Sequence, residues 1–96
     1  MADAARRGLR LREKFGRGGT EVGVARAHQL VAGSNLDKAD LISIHSYFAR
    51  HEVDKQTHTH AWDSDDDPSA GFIAWLLWGG DAGKKWADDH HQNLDK

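Results

Sequence analysis

The chain has 96 residues, of which 39% are hydrophobic, a net charge of −2 and no cysteine. This length fits one domain with its own core, and the lack of cysteine excludes disulfides, thiolate metal sites and cysteine nucleophiles. The longest apolar run, AGFIAWLLW at 70–78, has nine residues, against about 20 for a membrane span. The start, MADAARRGLR, lacks the apolar stretch of a signal peptide, so we expect a soluble protein that is not exported.

The two halves of the chain carry opposite charge. Residues 1–50 hold nine Lys and Arg against five Asp and Glu, a net +4, whereas residues 51–96 hold four against ten, a net −6. Six of the basic residues and one acidic residue lie in RRGLRLREKFGR at 6–17. This asymmetry predicts that the basic segment meets an anion: nucleic acid, an acidic protein surface, or the acidic half of this chain or of a second copy.

The basic segment has the pattern of an amphipathic helix over 3–15. Asp3 suits the N-cap of this helix, and Gly16 suits its C-terminal stop. The apolar face holds Gly8, Leu11 and Phe15. The opposite face carries a row of cations, Arg6, Arg10 and Lys14.

A second helix is predicted over 21–32, after the glycine-rich break GRGGT at 16–20. Thr20 is a suitable N-cap, and Gly33 suits the left-handed stop. Its predicted inner stripe is Val24, Ala27, His28 and Val31.

The third helix has the strongest start signal in the sequence. Asp37 and Asp40 occupy the two positions of a capping box, and Leu36 and Leu41 those of a hydrophobic staple. We expect the helix to run to about Lys55, with an outer Arg50/Asp54 pair. Its predicted inner positions are Leu41, Ile44, His45 and Phe48.

The last third of the chain predicts a polar loop and two further helices. The loop is QTHTHAWDSDDD at 56–67, after which Asp67 suits an N-cap and Pro68 the first helical position. The helix over 68–78 is apolar on every side, which is typical of the centre of a bundle. Asp81 is expected to cap a final helix over 82–93.

These elements predict an all-α fold, a single-domain bundle of four to five short helices, because no alternating strand pattern competes with them. We expect a basic N-terminal helix and Gly-rich arm at 1–19 and a compact helical domain at 20–96. Trp75, Trp78 and Trp86 are predicted to lie in the core. In the alternative interpretation, one ring stays exposed and anchors a partner, and Trp62 in the polar loop is the best candidate.

Three blocks of the sequence carry a resemblance to a known family: ARRGLRLREKFGRGGTEVGVARAHQL, SYFARHEVDK and PSAGFIAWLLWGGDAGKKWA. From about 4 to 90 the chain resembles a small helical module that recurs in tailed-bacteriophage genes, alone or attached to larger phage proteins, some concerned with head assembly. The resemblance implies a viral origin and a helical fold, and it brings no catalytic mechanism. Members carry a Gly/Lys-rich loop after HEVDK, where this chain has its polar loop, so a ligand bound there would be particular to this protein.

The polar loop also raises the question of a metal. DSDDDPSAGFIA begins like a calcium loop, with Asp63, Asp65 and Asp67 at its first, third and fifth positions. It then departs, because Pro68 stands where the turn glycine belongs and Ala74 where the bidentate glutamate belongs. We predict no calcium site, and interpret the aspartates as a solvated loop that favours the next helix start.

Histidines offer a further metal hypothesis. His58 and His60, with Asp63, could hold zinc if His90 or His91 folded over them, but this spacing fixes no set of convergent ligands. We therefore predict no metal and no cofactor.

The segment ARHEVDK at 49–55 could be interpreted as an acid–base cluster. On a helix His51 and Asp54 are neighbours, whereas Glu52 points about 100° away. No nucleophile matches them, so we favour a polar network that clamps this helix end to GGDAG, and we predict that the chain is not an enzyme.

Nucleic acid is the main rival to a protein partner. The stretch VARAHQLVAGSNLDKADLISI superficially resembles a helix-turn-helix, but its turn is longer than the usual three to four residues. Its second helix also begins with Asp37 and Asp40, which would face phosphates with like charge. Binding to nucleic acid would therefore use the basic arm and would not read sequence.

The sequence thus predicts a non-enzymatic, phage-encoded interaction protein, a virion structural or assembly component in the host cytoplasm, the virion or both. Its expected partners are other phage subunits or a second copy, with no membrane and no small-molecule substrate. The alternative is non-specific binding of DNA or RNA through the same arm. The predicted partner- or phosphate-binding residues are Arg6, Arg7, Arg10, Arg12, Lys14 and Arg17.

Overall fold

A computed structural model describes residues 1–33, 35–52 and 62–94, with side chains to 92. These ranges contain five α-helices and no strand, so the all-α prediction is confirmed. Within them, no helix is both long and apolar enough to cross a membrane. The helices are α1 (Ala2–Phe15), α2 (Glu21–Ala32), α3 (Lys38–His51), α4 (Ala70–Leu77) and α5 (Gly80–Leu94).

Most ends of the first three helices follow the signals in the sequence. The start of α1 does not: the helix begins at Ala2 after Met1, without a side-chain cap, and Asp3, the predicted cap, lies inside the first turn. The Thr20 side chain accepts a hydrogen bond from the Gly23 N–H at the start of α2. Asp37 and Asp40 form the reciprocal capping box at the start of α3. Gly16 and Gly33 end α1 and α2 with φ of 63° and 73°, a left-handed conformation that glycine adopts without steric cost.

The last two helices begin at other residues than the sequence predicts. Ser69, and not Asp67, caps α4, where its hydroxyl accepts the Phe72 N–H at 3.0 Å. Asp81 lies inside α5, which begins at Gly80. Asp67 pairs with Arg17, 50 positions away, and Asp81 accepts a hydrogen bond from Trp75, six positions away. Helix α3 ends at His51 with Glu52 as its C-cap. Residues 53–55 of its predicted span, with Asp54 of the predicted outer pair, lie outside the described residues, as do 56–61 of the predicted loop.

Helix α4 forms the centre of the bundle, as its all-round apolar sequence predicts. It contacts each of the other four helices, while α1 packs on α2 and α3 on α5 to form two pairs around it. Between α3 and α5 the rings of His45 and His91 stack with centroids 3.8 Å apart. The buried residues of α4 and its C-cap are Phe72, Ile73, Trp75, Leu76, Leu77 and Trp78.

Glycines allow the neighbouring elements to approach this helix. A Cβ on Gly8 of α1 would lie 2.9 Å from the Leu76 Cβ, well inside van der Waals contact. A Cβ on Gly18 would overlap the Ile73 side chain. The GRGG turn therefore packs against α4 through Gly18 and Gly19, whereas a Cβ on Gly16 would meet nothing within 4 Å.

Helix α1 belongs to the same packed body as the rest of the described chain. Ala5, Gly8 and Leu11 are buried, and Phe15 packs against the cluster of Leu11, Phe72, Ile73 and Leu76. Residues 1–19 are thus held along α4 and α2 and do not extend from the bundle as an arm.

The burial pattern departs from the sequence at a few positions. His28, predicted to face inward, is exposed, whereas Gly23 and Leu30 of the same helix are buried. Tyr47 is buried in α3, although the inner stripe did not include it. His45 and Trp86 are half-buried at the edge of the core, not within it.

Trp62 is also half-buried, so the alternative of an exposed anchor in the loop is wrong for this ring. It packs edge-to-face on Phe72 and on Trp75, at centroid distances of 5.1 and 5.5 Å. The described end of the polar loop is therefore attached to the core through an aromatic ring.

Candidate partner-binding surface

The six predicted basic residues divide into an outward row and an inward set. Arg6, Arg10 and Lys14 are exposed on one side of α1, as their spacing predicts. Arg6 pairs with Asp3 at 2.9 Å across one helical turn, and Lys14 lies over the ring of Phe15 at 5.3 Å. This row leaves its charges in contact with solvent.

Arg7 faces the acidic part of the chain. Its Nε donates to Asp65 at 2.8 Å and its Nη1 to Asp63 at 3.3 Å. Its guanidinium also lies 5.0 Å above the ring of Phe72. Partial burial alone would lower the pKa of Arg7, but the hydrogen bonds to the two carboxylates and their charges outweigh it and raise that pKa.

Arg17 repeats this arrangement at the other end of the acidic stretch. Its Nη2 donates to Asp67 at 2.9 Å, and its guanidinium lies 5.2 Å from the Phe15 ring centroid. Asp67 is therefore paired with Arg17, while Ser69 caps α4. Together Arg7 and Arg17 attach the acidic stretch to the bundle at two points.

Arg12 has a different partner from the other basic residues. Its Nε donates to the Gly18 carbonyl at 2.9 Å, so it supports the turn after α1. We infer a structural role for Arg12 within the predicted set.

The acidic stretch 62–67 has a defined local structure. The Ser64 hydroxyl accepts the backbone N–H groups of Asp66 and Asp67 at 3.1 and 3.3 Å, and Asp63 adopts a left-handed φ of 55°. The aspartates that resemble the start of a calcium loop are thus hydrogen-bond acceptors for arginines. In the described part of the chain, no three His, Cys, Asp or Glu residues are grouped to hold a metal, and His58 and His60 lie outside it.

Helices α2 and α3 do not have the arrangement of a helix-turn-helix. In the described ranges α2 packs on α1 and α4, and α3 packs on α5 and α4. The two are joined by Arg26, whose Nη1 lies 2.7 Å from the Asp40 carboxylate. The hydrogen bond from Arg26, with that from the Asp37 N–H, lowers the pKa of Asp40.

The predicted acid–base cluster at 49–55 is only partly within the described chain. His51 stacks on Tyr47 with centroids 4.5 Å apart, and Asp54 lies outside the described residues. Lys84, directly after GGDAG's last glycine, has a raised pKa. The main cause of this rise is the hydrogen bond from Lys84 to Asp88, and the negative charge of Glu52 contributes to it. Asp81 of the same segment accepts a hydrogen bond from Trp75 Nε1 at 3.0 Å.

Sequence reasoning missed the pairing of the acidic stretch with α1 in its detail. The opposite charges of the two halves were the available signal, because they left the chain's own acidic half as one possible partner of the basic segment. It did not identify which arginines pair, because Arg7 and Asp65 are 58 positions apart. Comparison with protein-family models, with curated proteins and with solved structures found no match to this chain.

Proposed function

We propose that this chain is a non-enzymatic helical interaction protein that docks a carboxylate-rich protein partner through α1. The observation that carries the proposal is that α1 and the turn after it already bind carboxylates. Arg7 and Arg17 hold Asp63, Asp65 and Asp67 in the same molecule. Arginine suits this role because its planar guanidinium donates several fixed hydrogen bonds to a carboxylate.

The exposed row on α1 would extend this surface to a second molecule. Arg10 and Lys14 are exposed, and Arg10 lies one turn from Arg7 on the helix. An acidic segment of a neighbour could therefore continue the row of carboxylates that the chain's own aspartates begin. The expected neighbours are other subunits of the same assembly or a second copy of this chain.

We further propose that the protein is phage-encoded and serves as a virion structural or assembly component, in the host cytoplasm, the virion or both. The support for this part is the resemblance of the three sequence blocks to the tailed-phage module. Mass spectrometry of purified virions, and capture from infected cells, would test it. Absence from both virions and assembly complexes would contradict it.

Non-specific binding of nucleic acid is the second candidate. Arg6, Arg10 and Lys14 lie on one exposed side of α1 and could meet successive phosphates. Each neutralised duplex phosphate contributes about −0.9 to the slope of log affinity against log salt, so three contacts predict a slope near −3.

One titration separates the two candidates. A labelled poly-aspartate peptide and a labelled random duplex are each titrated with the full chain from about 50 to 300 mM salt. The variant is Arg10→Gln with Lys14→Gln, and the matched control is Lys85→Gln, an exposed lysine of α5. A deletion of residues 1–18 is unsuitable, because Ala5 and Leu11 contribute to the core.

If α1 docks a protein partner, the poly-aspartate peptide should bind to the full chain. The α1 double variant should weaken this binding, and the α5 control should leave it unchanged. Duplex binding with a slope near −3, lost in the α1 variant, together with no peptide binding, would favour the nucleic-acid candidate. No binding of either probe would contradict both.

A further inference from the structure

A cavity of about 580 Å³ opens between the start of α2, the second half of α3 and the start of α4. Its position follows from the sequence of α4, which presents Ala70, Gly71 and Ala74 to the cavity. The large side chains of α4 fill the core, while this small-residue face leaves the space beside it open. None of the six predicted basic residues lines the cavity.

Two buried aromatic rings form one wall of the cavity. Trp78 is 7% exposed and Tyr47 is 5% exposed, and their rings stack with centroids 4.5 Å apart and an interplanar angle of 4°. His51 also stacks on Tyr47. On α2, the Arg26 guanidinium lies 5.3 Å from the Trp78 ring centroid, and Arg26 is itself paired with Asp40. The wall is therefore aromatic, and its Trp78 ring contacts a cation that does not line the cavity.

The described lining of the cavity contains a cation. Among the residues that the structure describes, it includes Arg50 and His51 together with Thr20 and Ser43, and no Asp or Glu. An arginine at a cavity edge of this composition favours an anionic ligand. Arg50 is exposed and has no ion-pair partner among the residues that the structure describes.

We propose that this cavity is a binding site for a small organic anion that combines a flat apolar ring with a carboxylate, sulfonate or phosphate group. The ring would lie against the small-residue face of α4 and the Tyr47–Trp78 wall, and the anionic group would meet Arg50. The volume is within the range of about 300–1,000 Å³ that holds such ligands. An apolar lining with few polar groups is also typical of these sites. The site does not depend on the function proposed for α1.

The test uses 2-naphthalenesulfonate and its uncharged counterpart 2-naphthalenemethanol as probes. Each is titrated into the isotope-labelled full chain, and the shifts of backbone amides are followed by NMR. The first variant is Arg50→Gln, which removes the cation. The second is Ala70→Leu, which fills the cavity from the exposed start of α4. The matched control is Arg10→Gln, which removes an exposed arginine of α1, and urea denaturation establishes that every variant is folded.

The proposal expects saturable binding of the sulfonate with one site, and shifts concentrated at residues 19–22, 43–51 and 70–78. Arg50→Gln should weaken the sulfonate at least about fivefold, because a charge-assisted hydrogen bond is lost, and should leave the alcohol unchanged. Ala70→Leu should weaken both probes, and Arg10→Gln neither. Non-saturable binding, shifts centred on α1, or equal binding of the sulfonate by Arg50→Gln and the parent would each overturn the proposal.

Discussion

Arg7 and Asp65 form a 2.8 Å hydrogen-bonded ion pair across 58 positions of the sequence. The pair joins the most basic segment of the chain to its most acidic one, and the Phe72 ring beneath Arg7 connects both to the core. The charge asymmetry that suggests an external partner is thus partly satisfied within the molecule. Arg7 is a packing residue as well as a cation.

Arg7→Gln is expected to lower the free energy of unfolding by about 1 kcal/mol, because an ion pair of this exposure contributes at most about that much. Arg10→Gln, on the exposed side of the same helix, should change it by less than about 0.5 kcal/mol. Urea denaturation followed by circular dichroism measures both. The difference between them should decrease in about 1 M salt, which screens the Arg7 pairs. Equal effects of the two substitutions would contradict the pairing.

The lowered pKa of Asp40 predicts how the stability of the protein depends on pH. The pKa of Asp40 in the folded chain lies below the ordinary value of 3.8, chiefly through the hydrogen bond from Arg26. The ionised Asp40 carboxylate therefore contributes its full stabilisation above the unfolded-state pKa. This stabilisation is lost as the pH falls through the folded-state pKa. Asp40→Asn should destabilise the protein at about pH 7 and much less at about pH 2.

The measurement is urea denaturation of Asp40→Asn and the parent over this pH range. Asp66→Asn is the matched control, because the Asp66 carboxylate is exposed. A difference between Asp40→Asn and the parent that stays constant with pH would contradict the role of the ionised carboxylate.

Gly8 should be intolerant of a single added methyl group. Alanine in a helix interior normally stabilises by about 1 kcal/mol relative to glycine. At Gly8, however, the new Cβ would lie 2.9 Å from both the Leu76 Cβ and the Leu77 backbone nitrogen. We expect Gly8→Ala to destabilise by about 1–3 kcal/mol, as overpacking does. Glu13→Ala, at an exposed position of α1, is the control and should be near neutral, and a stabilising Gly8→Ala would show that α1 and α4 are further apart.

Local signals in the sequence located the starts of α2 and α3 and the C-terminal ends of α1 and α2. The Thr20 cap, the Asp37/Asp40 box and the Gly33 stop act within a few residues, so the pattern alone locates them. The predicted start of α4 was wrong, because Ser69 caps this helix, and the Asp67 carboxylate pairs with Arg17, 50 positions away. A local pattern identifies candidate caps, but it does not show a distant cation that binds the same carboxylate.

The sequence predicted which basic residues belong to the candidate surface, but it did not predict which of them are paired and which are exposed. The six basic residues were identified from charge, and the exposed row from its spacing on one helix. The division into exposed and paired arginines depends on where the acidic stretch packs. That position is fixed by Trp62 on Phe72 and Trp75, contacts that a polar loop pattern does not indicate. The cavity beside α4 was not predicted at all, because it depends on three helices that are distant in sequence.

The tryptophans provide the last prediction. Trp75 is 1% exposed, so Trp75→Ala is expected to cost about 3–5 kcal/mol, as for other buried aromatic residues. Trp62→Ala would be near neutral if its ring lay in a solvated loop. Because this half-buried ring packs edge-to-face on Phe72 and Trp75, we expect a cost of about 1–3 kcal/mol.

The measurement is urea denaturation followed by far-ultraviolet circular dichroism, since each substitution alters the tryptophan fluorescence. Val22→Ala, at a residue that is 65% exposed, is the control for truncation of an apolar side chain and should cost less than about 0.5 kcal/mol. Trp62→Ala removes the aromatic attachment of the acidic stretch to the core, so Arg7→Gln should cost less in that background than in the parent. Additive effects of Trp62→Ala and Arg7→Gln would show that the ring and the ion pairs hold this stretch independently.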